Sequence, residues 1–212
     1  MQIKVFPFNA FSENTYILYD DTKEAVIIDP GCYTEEEQET LQDFIEAEGL
    51  KVVALLNTHA HVDHVLGNAF VKRTYGVKLH LHADDYPTLA SVDEYAGMWG
   101  FENYEPATAD ETLTDGQEFT FGETTLKVLF VPGHCPGHVA FYHDDSQQVI
   151  GGDCLFHRGI GRTDLPGGNI MKLGKSLREK LYMLPDETIV YPGHGLTTTI
   201  GEEKAHNPFI RK

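Results

Sequence analysis

The segment Thr58-His59-Ala60-His61-Val62-Asp63-His64 constrains the chain more than any other. It sets four potential metal ligands within six positions, directly after a continuous apolar run at residues 52–56. A short Val/Leu run of that kind reads as a strand covered on both faces. In the extended stretch after it, His59 and His61 point the same way, because side chains alternate with period two. A helix beginning near Val62 turns Asp63 and His64 toward a different point, so the spacing suits two adjacent cations.

Three other apolar strands stop at a Gly-containing turn and present one ligand-type side chain each. They are Phe130-Val131-Pro132-Gly133-His134, Val149-Ile150-Gly151-Gly152-Asp153 and Val190-Tyr191-Pro192-Gly193-His194. Loops at the ends of sheet strands can converge on one crevice while the sheets hold them rigid. Five His and two Asp are enough for two cations, with coordination positions left for water. Imidazole and carboxylate take zinc first, and admit iron and manganese. Two such cations less two carboxylates leave a local charge of about +2, and one zinc alone lowers the pKa of its water to about 7. The expected nucleophile is therefore a bridging hydroxide, oriented by Asp63 through its spare oxygen. With no dedicated general acid in view, a thiolate leaving group suits this arrangement better than an amine.

The rest of the pattern supplies the scaffold. Strands are expected at residues 3–8, 15–19 and 25–28, the last closed by Asp29-Pro30-Gly31. Thr34 and Glu37 have capping-box spacing, and a helix follows to Gly49. A helix at 65–75 and a strand at 77–81 come next. Residues 91–115 show neither period but hold Tyr95, Met98, Trp99, Phe101 and Tyr104; they read as a lid over a site or as a helix and loop packed on the core. A second antiparallel set is expected at 117–121, 125–131, 139–143 and 148–150, then a helix at 171–184 and a strand at 188–191. Two sheets with helices outside them give a four-layer α/β sandwich in outline, although periodicity alone does not choose it over three layers.

With 212 residues, 41% of them hydrophobic, and no low-complexity linker, one continuous domain over 1–212 is the simplest partition. The 16 basic against 33 acidic residues give a net charge of −17, and residues 79–126 contain eleven acids and no Lys or Arg. That balance disfavours a nucleic-acid backbone or an anionic membrane surface as partner. Residues 1–7 have no signal-peptide character, and no apolar run approaches the roughly 20 residues of a membrane span, so a cytoplasmic protein is expected. Cys32, Cys135 and Cys154 are an odd number, which argues against a disulfide framework; they read as small buried residues.

At these motifs the chain resembles the metallo-β-lactamase-fold superfamily, marked by His-x-His-x-Asp-His and then an isolated His, Asp and His. Here these are His59, His61, Asp63, His64, His134, Asp153 and His194, in the family's order. The segments Gly152-Asp153-Cys154-Leu155-Phe156 and Gly161-Arg162-Thr163-Asp164-Leu165-Pro166-Gly167-Gly168 are similar to the glyoxalase II group of thioester hydrolases, especially its short single-domain members. The resemblance implies an αββα sandwich and a small acyl thioester, such as a hydroxyacyl-glutathione, as substrate. It implies one metal on His59, His61 and His134, the other on Asp63, His64 and His194, and Asp153 bridging. It places Asp29 behind the ligands, steering a loop histidine. No C-terminal helical domain like that of two-domain glyoxalase II enzymes is expected, and Arg162-Thr163-Asp164 stands where they carry a Lys and a Tyr, so their glutathione clamp is not carried over. Arg162 is a candidate for an anionic substrate group or for pairing with Asp164, and His157, close to Asp153, for touching substrate. His80, His82, His138, His143 and His206 are read as structural. Alternatives are an oxidoreductase of the persulfide dioxygenase type with a single iron, a lactone or β-lactam hydrolase, and a binding module that keeps the metals without turnover.

Overall fold

The second and third strands form on runs of β-branched, aliphatic and aromatic residues, Tyr16-Ile17-Leu18-Tyr19 and Ala25-Val26-Ile27-Ile28, that are buried on both faces. In the computed structural model, which describes residues 1–210, β1 (Gln2–Phe8), β2 (Glu13–Tyr19) and β3 (Glu24–Ile28) form an antiparallel meander. Helix α1 (Glu35–Ala47) opens with the expected capping box: Glu37 N–H donates to Thr34 Oγ1 at 3.2 Å, and Thr34 N–H donates to Glu37 Oε2 at 3.0 Å. Leu41 and Ile45, one turn apart, bury its inner face, each contributing about 1.5–3 kcal/mol. The chain returns as β4 (Lys51–Leu56), parallel to β3 with Leu56 opposite Ile28. Then come α2 (Val62–Val65), α3 (Asn68–Tyr75), β5 (Leu79–His82), α4 (Tyr86–Tyr95) and β6 (Glu111–Leu113), completing a six-stranded sheet in the order β1-β2-β3-β4-β5-β6.

The second sheet is built from β7 (Glu118–Phe121), β8 (Thr124–Phe130), β9 (Val139–His143), β10 (Gln148–Gly152), β13 (Ile189–Pro192) and β14 (Thr198–Thr199). Its order is β14-β13-β10-β9-β8-β7, and a small hairpin of β11 (Leu155–Phe156) and β12 (Gly159–Ile160) stands apart from it. Helices α5 (Ile170–Glu179) and α6 (Ile200–His206) belong to this half. The chain divides into two compact units, Met1–Thr112 with Thr120–Thr124 and Leu113–Phe119 with the remainder from Thr125. Each has its own core. Ile17, Ile27, Leu55, Leu41 and Val71 anchor the first; Val149, Val190, Leu173 and Leu177 anchor the second. The expected class, β sheets flanked by helices, is the one found. No helix among the described residues is long and apolar enough to cross a membrane.

Several local expectations are corrected. The single helix over 65–75 is interrupted at Gly67, whose N–H donates to Pro30 O at 2.7 Å. A Cβ there would stand 2.5 Å from Cys32 Sγ, so the main chain is pressed onto the turn after β3. Residues 91–115 open with the end of a helix, since α4 starts at Tyr86 with Pro87 in its first turn and continues as a 3-10 turn, Ala96–Trp99. Phe101 is buried and Tyr95 and Tyr104 pack on the first core, which accounts for most of the aromatic content; Met98 and Trp99 are exposed. The helix over 171–184 ends at Glu179 and gives way to a 3-10 turn, Leu181–Met183. Helix α6 and the short strands β6 and β14 carry too few residues to show a period.

Candidate metal centre

In each unit a parallel strand pair positions candidate ligands, because parallel neighbours end at the same edge of a sheet. In the first unit β3 and β4 end together, so Asp29 and Asn57 stand side by side, with Asp29 N–H donating to Leu56 O at 3.0 Å. The loop that follows carries His59 and His61, and His61 stands at the start of α2, the helix expected near Val62, which carries Asp63 and His64. The His59 ring lies 4.8 Å from that of His61 and 4.1 Å from that of His64, centroid to centroid. Asp63 Oδ2 is 3.7 Å from His64 Nε2. His59 and His64 are fully buried, whereas Asp63 and His61 are partly exposed.

Asp29 organises this loop. Its Oδ1 accepts from Thr58 N–H at 2.7 Å, its Oδ2 accepts from the Thr58 hydroxyl at 2.5 Å, and Oδ2 lies 3.2 Å from His64 Nδ1. The hydrogen bonds fix the tautomers. A carboxylate only accepts, so His64 carries its proton on Nδ1 and presents Nε2 as a lone pair. The Thr58 hydroxyl gives its proton to Asp29, so the 3.0 Å contact from His59 Nδ1 to Thr58 Oγ1 is donated by the imidazole. His59 therefore also presents Nε2.

The second unit repeats the device. β10 and β13 are parallel, with Ile150 opposite Tyr191 and Gly152 opposite Pro192, so Asp153 and His194 emerge together. β8 is separated from β10 by the antiparallel β9, runs in the direction of β10, and delivers His134 to the same edge. Asp153 Oδ2 is 3.6 Å from His134 Nε2 and 3.6 Å from His194 Nε2. His134 Nδ1 donates to Arg162 O at 2.8 Å, and because a carbonyl only accepts, Nε2 is again the lone-pair atom. A Cβ on Gly161 would stand 1.9 Å from Asp153 O and 3.0 Å from His134 Nδ1, so glycine is what lets this turn close on both.

The donor chemistry fits divalent cations. Three imidazoles are held by a partner at Nδ1 and offer Nε2, and one carboxylate oxygen stands equidistant from two imidazole nitrogens. Several supporting groups had no sequence signature, because their partners are distant along the chain. Buried Asp85 accepts from Ala60 N–H at 2.9 Å, between the first two histidines. Asn57 Nδ2 donates to His64 O at 3.2 Å. Glu13 is fully buried at the start of β2, with Oε1 3.6 Å from His64 Nδ1 and Oε2 accepting from Thr15 Oγ1 at 2.9 Å. Burial raises the Glu13 carboxyl well above the usual range, against the opposing pull of His64.

The remaining candidates have other partners. The Arg162 guanidinium makes two hydrogen bonds, at 2.8 and 2.9 Å, to the Asp164 carboxylate, whose pKa falls to about 2 under its influence. His157 is half exposed, with Nδ1 3.8 Å from Glu203 Oε1. All three cysteines are buried and outside any disulfide, and desolvation pushes the Cys32 and Cys154 thiols far up.

The family model described as the metallo-beta-lactamase superfamily matches residues 9–194. A hydroxyacylglutathione hydrolase, GloC, of Haemophilus influenzae is 38% identical over 99% of this chain and 98% of its own length. The solved BLEG-1 B3 metallo-beta-lactamase matches at 37% identity and a TM-score of 0.89, with all of both chains covered. TTHA1623, solved in a di-iron-bound form, matches at 39% identity and a TM-score of 0.88, over 98% of this chain and 100% of its own. The chain belongs to the metallo-β-lactamase superfamily of metallo-hydrolases, whose fold implies divalent metals bound by a cluster of His and Asp.

Proposed function

We propose that the protein is a hydrolase of small acyl thioesters that works with two divalent cations, zinc or iron. His59, His61 and His134 would hold one and Asp63, His64 and His194 the other, with Asp153 shared. The observation that supports the two-cation reading is the Asp153 oxygen 3.6 Å from both His134 Nε2 and His194 Nε2, which this reading assigns to different cations. A relative of this length solved with two irons supports the same count. The thioester is supported by the full-length similarity to a hydroxyacylglutathione hydrolase.

When bound, the cations supply Lewis acidity and bring the pKa of a coordinated water close to 7. The chain does the rest. Asp63 stands at the exposed side of its helix and accepts a hydrogen bond from the attacking water, setting its line of approach. Asp29, through Thr58 and His64, keeps the ligand nitrogens unprotonated. Departure of a thiolate, whose conjugate acid has a pKa of about 8.5, needs no proton donor from the protein.

The metal-loaded protein is expected to release thiol from S-lactoylglutathione, and His59→Ala to abolish that release. Absence of release from every thioester in a panel, with hydrolysis of a β-lactam instead, would replace this reading with the activity named for BLEG-1.

A further inference from the structure

His138, read from the sequence as structural, stands where the second unit's ligands meet. It is fully buried and immediately precedes β9, the strand that separates β8 from β10. Its Nε2 accepts from the Asp153 N–H at 3.0 Å, and its ring lies 5.9 Å from that of His134. Accepting at Nε2 puts the proton on Nδ1. The hydrogen bond occupies an exceptional place in the sheet. The β10–β13 register shifts between Ile150 and Gly152, and Gly152 has φ of 50°, so the chain leaves the ladder as it reaches Asp153. The N–H of Asp153 thus takes its acceptor from a side chain, while the carbonyl of the same peptide, Gly152 O, accepts from Gly193 N–H at 2.8 Å, and the two bonds together orient the peptide from which Asp153 leaves the strand.

We propose that His138 is a positioning residue that aims the Asp153 carboxylate between His134 and His194 and thereby secures the second cation. The inference rests on the two-cation reading above. Without the side-chain acceptor, the peptide between Gly152 and Asp153 is held at its carbonyl alone and can tilt about that bond, so Asp153 serves one histidine at the expense of the other. The role belongs to the acceptor atom and not to the bulk of the ring.

That distinction supplies the test. His138→Gln places Oε1 near the position of Nε2 and can accept, whereas His138→Leu fills the space without an acceptor. Metal-free full-length protein is titrated with Co(II), following visible absorption, and its near-ultraviolet circular dichroism is recorded. Electron paramagnetic resonance of the Mn(II)-loaded protein reports whether the two ions are coupled. The wild type and His138→Gln are expected to bind two cations with a coupled signal. His138→Leu is expected to keep the first but to bind the second about 10- to 100-fold more weakly, without coupling, at unchanged near-ultraviolet circular dichroism. A leucine variant with two tight, coupled cations overturns the inference alone. So does a folded glutamine variant that loses the second cation, which keeps the test decisive if the leucine variant does not fold. A wild type that binds a single cation overturns the two-cation reading and the inference with it.

Discussion

Replacing Asp29 by asparagine separates what the carboxylate does for the fold from what it does for the ligands. The Asp29→Asn side chain keeps one oxygen for Thr58 N–H, the 2.7 Å bond that holds the loop, but sets an amide N–H₂ against the Thr58 hydroxyl and His64 Nδ1. The hydroxyl must then accept from the amide and donate onward to His59 Nδ1, and His64 Nδ1 must accept as well. Both rings shift their proton to Nε2, the atom meant for the cation. Exchanging a charge-assisted bond for a neutral one costs about 1–2 kcal/mol of stability. Losing the partner that sets ligand tautomers costs about 10- to 100-fold in cation affinity, and here two ligands are affected by one change. Asp29→Ala instead leaves buried donors of Thr58 and Asn57 without an acceptor, for about 3–5 kcal/mol. Denaturant unfolding of the metal-free protein measures the first quantity and Co(II) titration the second. Wild-type cation affinity in Asp29→Asn would refute the tautomer argument.

Two further outcomes concern the scaffold. Although burial alone raises the Asp20 pKa, hydrogen bonds from Thr22, Glu123 and Thr124 outweigh it and hold the carboxyl below its ordinary value. A depressed folded-state value gives stability that is present above about pH 4 and lost as acidification passes the folded-state pKa. Asp20→Asn should therefore cost about 1–3 kcal/mol at pH 7 and converge on the wild type as the pH falls through the folded-state pKa in urea unfolding, whereas a pH-independent cost would contradict this assignment. Cys32 and Cys154, buried with raised pKa values, should resist iodoacetamide at pH 8 in the native protein and react once it is unfolded; rapid native labelling at either, read by peptide mass, would show that the packing is wrong.

The candidate ligand side chains stood out in the sequence because they come after strands that end abruptly at a turn, and those strands announce themselves by composition. The change from period two to a helix at Val62 was also legible, and α2 begins there, but the His64 ring lies 4.1 Å from that of His59, nearer than the 4.8 Å of His61, so the helix does not carry it away from the first pair. What was not legible is long-range. Glu13 reaches His64 because the start of β2 overhangs the end of β3, Asp85 reaches Ala60 across 25 residues, and His138 reaches Asp153 across 15. No local period encodes such pairings. Helix α4 was missed for a different reason: only Leu89 and Val92 of its ten residues are buried, too thin a stripe to register against its aromatic surroundings.

The most direct measurement is the number of divalent cations per chain, determined by elemental analysis of the loaded protein, together with thiol release from S-lactoylglutathione before and after chelation. Two zinc or iron ions per chain, with release that disappears on chelation and returns on reloading, is the predicted result. One iron per chain, with oxygen consumed on a glutathione persulfide and no thiol released from the thioester, would contradict it.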